Sequence, residues 1–123
     1  MANLIVNWLN NELKLSRRVN IIEEDFANGY LFGEILSKYN QITYFNEFKN
    51  REELNSKINN FKLIEKAFKD LTIKLERAKL DDIINKKRGI ATRYLYQLKM
   101  ALSKKEICFE NIMLKKCNFK YLI

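Results

Sequence analysis

The residues able to do chemistry are few. The sequence contains no histidine, so the side chain that most often moves protons near neutral pH is missing. Carboxylates cluster at Glu23–Glu24–Asp25 and at Asp81–Asp82. Paired carboxylates can serve as general acid and base, but both clusters fall where helices are expected to start, and capping accounts for them more simply. The two thiols, Cys108 and Cys117, lie near the C-terminus. Two sulfurs without histidine fall short of the four ligands of a structural zinc site. They read as reduced, semi-buried thiols of an intracellular chain. No set of base, nucleophile and oxyanion donors can be assembled. The expectation is a protein that is not an enzyme and takes no metal or cofactor.

What remains is cationic binding chemistry. The net charge is +8, from 23 basic and 15 acidic residues. It is unevenly spread: residues 1–50 carry five basic and six acidic side chains, residues 51–123 carry 18 and nine. A basic half suits a polyanionic partner, whether nucleic acid, anionic lipid or an acidic protein surface. Lys, Asn and Ile together make up 46 of the 123 residues. That is the bias of AT-rich coding sequence, so part of the lysine excess is compositional. The sharpest group is Lys86, Lys87 and Arg88, with Arg93 one turn into the helix expected next. A helix N-terminus favours anions, so three consecutive cations beside one are placed for something outside the helix. Gly89 lets the chain turn there. Lys14, Arg17 and Arg18 form a second, shorter group. Lys62, Lys66 and Lys69 share the polar face of a helix, where a solvated surface is the simpler meaning. Nucleic-acid binding would want a recognition helix or exposed aromatics among the cations. The aromatics here fall on core faces, Tyr96 excepted, so no nucleic-acid partner is expected.

The elements that position these groups read as helices. There is no proline and only three glycines, Gly29, Gly33 and Gly89; a chain so poor in breakers can run long helices and lacks the turn chemistry of a many-stranded sheet. A first helix is expected over Asn3–Lys14, with Leu4, Ile5, Trp8, Leu9 and Leu13 on its apolar face. Ser16 could cap a short turn after it. A second helix over Asp25–Tyr39, N-capped by Asp25, would bury Leu31, Phe32, Ile35, Leu36 and Tyr39. Gly29 and Gly33 lie at the edge of that arc and predict a close crossing by another helix. The stretch Asn40–Asn55 is irregular, pinned by Tyr44, Phe45 and Phe48. A third helix from Asn55 or Ser56 to Leu71 buries Phe61, Ile64, Phe68 and Leu71. A short helix near Asp81–Asn85 precedes the last, Ile90–Ser103, whose inner face is Ala91, Tyr94, Leu95, Leu98, Ala101 and Leu102. The N-terminal stretch lacks the basic start and cleavage site of a signal peptide. No run of roughly 18 apolar residues predicts a membrane span. Of all segments, 104–123 alone has the basic, amphipathic character of a membrane-surface helix.

Four segments occur in order: WLNxEL, DFANGYLFGEILSKYN, KINNFKLIEKAFKDL and KLDDIINKKRGIATRYLYQLKMAL. Together they resemble a calponin-homology domain, an all-α fold of four main helices with short connecting ones. Within that superfamily they are most similar to a divergent sperm flagellar branch, through GYLxGEIL, NNF and G-x-ATRxLYQL. The likeness spans residues 1–103 and leaves 104–123 as an apolar and basic extension, expected to be helical. It implies that Trp8, Tyr30, Leu31, Phe61, Leu95 and Leu98 hold the fold rather than a site. It also implies a cytoskeletal protein partner. Tandem domains of this superfamily bind actin, whereas single divergent ones associate with microtubules or with ciliary and flagellar assemblies. Tubulin or axonemal proteins are thus expected ahead of actin, in the cytoplasm and at a cilium or flagellum. The alternative is an assembly domain whose tail mediates oligomerisation without filament contact.

Overall fold

A computed structural model describes residues 2–104. Among them the chain forms helices and no strand. Helix α1, Ala2–Asn7, runs directly into a π-helical turn, Trp8–Glu12. Then come α2, Ile22–Asp25, and α3, Tyr30–Lys38. A 3₁₀ turn, Phe45–Glu47, precedes α4, Leu54–Asp70, and α5, Arg77–Ile84. Helix α6 occupies residues 90–104. The expected helical extension, with Cys108 and Cys117, lies outside the described residues.

The core is one apolar cluster drawn from every α-helix. Ile5, Trp8 and Leu9 come from the first helix, Ile22 from α2, and Leu31, Phe32, Ile35 and Leu36 from α3. Phe61, Ile64 and Phe68 come from α4, Ile83 from α5, and Leu95 and Leu98 from α6. Phe32 sits at its centre, edge-on to Phe26 at 4.9 Å, Phe68 at 6.0 Å and Phe61 at 6.1 Å between ring centroids. Edge-to-face pairs of this kind add about 0.5–1.5 kcal/mol each beyond the area they bury. The extended stretch after α4 drives Ile73 and Leu75 into the same core, both being buried.

Three expected elements need correction. The helix expected over Asp25–Tyr39 starts only at Tyr30, and Asp25 belongs to a separate short helix before it. Gly29 takes φ +84°, a left-handed conformation that ends helical progress, and the Asn28 side-chain oxygen accepts a hydrogen bond from the Tyr30 amide at 2.9 Å. Asp25 is accordingly not an N-cap but the last residue of α2. Its carboxylate reaches back to accept from the Asn20 and Ile21 amides, at 2.9 and 3.2 Å. Leu4 is not on the buried face: it is 54% exposed. The turn over Trp8–Glu12 is wider than an α-turn, with the Leu13 amide bonded five residues back to the Trp8 carbonyl at 2.9 Å. Ile5, Trp8 and Leu9, at i, i+3 and i+4, share the inward face, and Leu4 falls beside it. Helix α5 also begins earlier than expected, at Arg77.

The close crossing expected at the glycines divides between two partners. A Cβ on Gly29 would stand 3.1–3.2 Å from Ile64, Asn60 and Phe61 of α4. A Cβ on Gly33 would stand 2.5 Å from the ring of Phe48, so this glycine is filled by the irregular segment and not by a helix. Phe45 stands 5.8 Å from that ring, and Tyr44 and Phe45 are both half-buried against the core, as expected. The C-terminus of α4 is stopped by Thr72 at φ +58°. A β-branched residue there carries about 1–2 kcal/mol of strain that glycine would not.

Candidate functional site

Helix α5 ends in a tight closing turn. The Lys86 amide donates to the Ile83 carbonyl at 3.0 Å and the Lys87 amide to the Asp82 carbonyl at 2.9 Å. Lys86 itself adopts φ +63°, and Gly89 follows at +85°. Between these two left-handed residues the chain reverses into α6, whose first turn is set by the Arg93 amide donating to the Gly89 carbonyl at 3.1 Å. Residues 86–89 and Arg93 are all exposed. Within this loop the Lys87 ammonium reaches Asp82 at 4.0 Å, with the lysine side chain 64% exposed. A pair so long and wet contributes little.

The electrostatic conflict between these cations and the start of α6 is resolved from outside the loop. Glu23 of α2 accepts a hydrogen bond from the Gly89 amide at 3.2 Å. A carboxylate thus stands where the α6 dipole favours one, and the Lys86, Lys87 and Arg88 side chains are left to solvent. Two residues along the same short helix, Asp25 binds the Arg17 guanidinium at 2.8 Å. Arg17–Arg18 and Lys86–Gly89 therefore border α2 from its two tethers. Lys14, Arg17 and Arg18 are exposed. Arg17 is committed to Asp25, which places it in the scaffold of this surface, while Lys14 and Arg18 are displayed on it. Lys14 also ends the first helix, where its backbone turns left-handed at φ +52°. The acidic residues of α2 lie between the two basic groups, so the surface is cationic with an acidic seam.

The α4 lysines do not belong to this surface. Asn60, Phe61 and Ile64 make the edge of α4 that packs on the turn before α3, and Lys62, Lys66 and Lys69 stand exposed on the other side. The Lys66 ammonium lies 5.7 Å from the centre of the Tyr44 ring, a cation–π contact that gives it a local structural role.

Two polar residues that sequence reasoning missed tie separate segments of the fold together. Glu34, nearly buried, accepts hydrogen bonds from both the amide and the hydroxyl of Ser16 at 2.7 Å each. This fixes the segment that presents Arg17 and Arg18, and Ser16 is an anchor rather than a cap. Asn60 is buried within α4. Its side-chain nitrogen donates to the Asn28 and Lys49 carbonyls at 2.9 and 2.7 Å, and its oxygen accepts from the Lys49 amide at 3.0 Å. An asparagine beside a buried phenylalanine stripe was the available signal.

Among the described residues no group of three His, Cys, Asp or Glu side chains could hold a metal ion. None of the helices described is long and apolar enough to cross a membrane. The surface around α2 sets exposed cations on either side of a short acidic helix.

A family described as the CH-like domain in sperm protein matches residues 5–100, from the middle of the first helix to near the end of α6. The chain belongs to this family. The match takes in α2, the basic loop and the first three turns of α6, so the candidate surface is part of the CH-like domain itself. The chain is 38% identical over 108 residues to sperm flagellar protein 2 of Rattus norvegicus and equally to that of Homo sapiens. Sperm flagellar protein 2 of Sus scrofa is 37% identical over the same length. Each of these alignments covers 86% of this chain but only 6% of the relative.

Proposed function

We propose that this CH-like domain is a non-catalytic cytoskeletal adaptor of a cilium or flagellum, which docks on an acidic partner through the cationic surface around α2. A microtubule or an axonemal protein is the partner that this reading favours. The observation that carries it is the loop at Lys86, Lys87 and Arg88: its one structural obligation, the start of α6, is met by Glu23, and its side chains are exposed to face a partner. The flagellar setting is drawn from the name of its relatives, sperm flagellar protein 2. Acidic filaments recognised this way bind faster and more tightly at low salt.

Co-sedimentation with stabilised microtubules, at low and at moderate salt, tests the reading. Pelleting that weakens with salt is expected. Reversing Lys86, Lys87 and Arg88 to glutamate is expected to lower affinity by about tenfold or more while the helical circular dichroism stays unchanged. Pelleting at neither salt sinks direct tubulin binding, and pelleting that survives the reversal removes the loop from the contact.

A further inference from the structure

A second surface lies along α6, on the side that faces away from the core. The inner stripe is Tyr94, Leu95, Leu98 and Leu102, all buried. One step round the helix, Tyr96 and Met100 are 38% and 51% exposed, an aromatic and a thioether four residues apart. They line a groove of about 520 Å³ whose other wall is the corner after α4, Leu71–Thr72–Ile73. Tyr96 and Gln97 carry it on toward Gly89 and Arg93 through a further 300 Å³. The groove thus follows α6 from Gly89 to Lys104, about 22 Å at helical rise.

Over the linings of the groove and the cleft beside it, cations outnumber acids. Arg93 stands at one end and Lys104 at the other, and Lys69 and Lys74 line the adjoining cleft across Thr72 and Ile73. Glu65 and Asp70 are the acids among the same linings. An apolar floor with a surplus of cations on the rim is the complement of an amphipathic helix with acidic flanks. Its length matches about four helical turns. Methionine at the floor suits such a role, since a flexible, polarisable side chain adapts to the residue laid on it.

We infer that the groove between α6 and the Leu71–Ile73 corner docks an acidic-flanked amphipathic helix of a partner protein, at a site centred on Tyr96 and Met100 that meets the basic loop only at Gly89 and Arg93. Leucine-like side chains enter against Tyr96 and Met100, and the carboxylates on their flanks meet Lys69, Lys74, Arg93 and Lys104. A domain with both surfaces holds a filament with one and a second protein with the other.

The test uses the full 123-residue chain, labelled with ¹⁵N, and a synthetic model helix of about eighteen residues with leucines on one face and glutamates beside them. A second peptide carries lysines in place of the glutamates. Amide shifts centred on Thr72, Arg93, Tyr96 and Met100 are expected, with the glutamate peptide bound about tenfold or more tightly than the lysine one. Met100→Asp, at a half-exposed position, is expected to lower that affinity about tenfold, and the Lys86, Lys87 and Arg88 reversal to lower it less, since those cations lie beyond the Gly89 end of the groove. Equal affinity for both peptides overturns the inference, as do shifts centred on residues 86–88. So does a nuclear Overhauser contact from the Met100 methyl to residues 105–123 in the free chain, which makes the tail the occupant. Concentration-dependent dimerisation abolished by Met100→Asp also overturns it, since the occupant is then a second copy.

Discussion

Asn60 shows how a single amide can tie three segments of the chain together. Its three hydrogen bonds join α4 to the turn before α3 and to the loop after Phe48. Asn60→Ala strands the buried Asn28 carbonyl and two part-buried backbone groups of Lys49, and an unpaired group costs more the deeper it lies. The expected loss is about 2–4 kcal/mol, read as a fall in Tm of roughly 10–15 °C. Gly33 is constrained by volume instead. Gly33→Ala drives a methyl against the buried Phe48 ring, and overpacking of this sort costs about 1–3 kcal/mol; a shift in urea midpoint measures it. Tyr94 adds a pH signature. Burial, the largest influence, raises its phenol pKa above the ordinary value of 10.0. The unfolded chain therefore releases this proton first as pH rises. Stability from Tyr94 is fully present below about pH 10 and declines as the pH climbs through the folded value. Tyr94→Phe is expected to flatten the alkaline limb of a stability-against-pH curve, at a neutral-pH cost of about 1 kcal/mol or less, because its hydroxyl donates to the Lys74 carbonyl at a long 3.4 Å.

At the scale of elements, the sequence was most readable where apolar spacing is regular. Helix α4 and helix α6 have the expected inner stripes, Phe61, Ile64 and Phe68 in one and Ala91, Tyr94, Leu95 and Leu98 in the other. It was least readable where the backbone leaves ordinary helical geometry, because helical periodicity presumes one pitch throughout. The break at Gly29 and the wide turn at Trp8–Glu12 both violate that assumption. The split of Asp25–Tyr39 was hidden because the apolar pattern runs through it without interruption. Likewise the cations of the candidate surface were visible as a cluster, but their relation to α2 was not: the Gly89–Glu23 contact spans 66 residues. Local strain at an element end is testable here too. Thr72→Gly relieves the left-handed conformation after α4, and a net gain of up to about 1 kcal/mol is expected once the extra chain entropy of glycine is set against it. Thermal unfolding of the full chain checks the sign.

For the molecule as a whole, fold and surface chemistry answer to different parts of the composition. The aromatics and glycines that make the motifs are buried or half-buried against the core, apart from Gly89 and Tyr96. Glu23, Asp25 and Glu34 go into tethers that fix where the cations stand. Glu34→Gln removes the charge that both Ser16 donors bind. It is expected to weaken the anchoring of residues 16–18, and faster amide exchange at Ser16 with little change at Leu95 is the measurement. The same logic separates the two surfaces. Raising salt is expected to suppress binding at the loop around Lys86–Arg88 more than at the groove along α6, because apolar burial contributes only to the second.

The wide turn at Trp8–Glu12 has a consequence for how this chain tolerates change in length. A hydrogen bond reaching five residues back spans one residue more than the α-helical ladder needs. The first helix thus carries a spare residue, and Asn11, exposed on the turn, is the one whose removal disturbs least. Deleting it lets the ladder close as an ordinary α-helix, whereas deleting any residue midway along α6 turns Leu98 and Leu102 out of the core. Of these two deletions, the one at Asn11 is expected to lower the unfolding temperature far less.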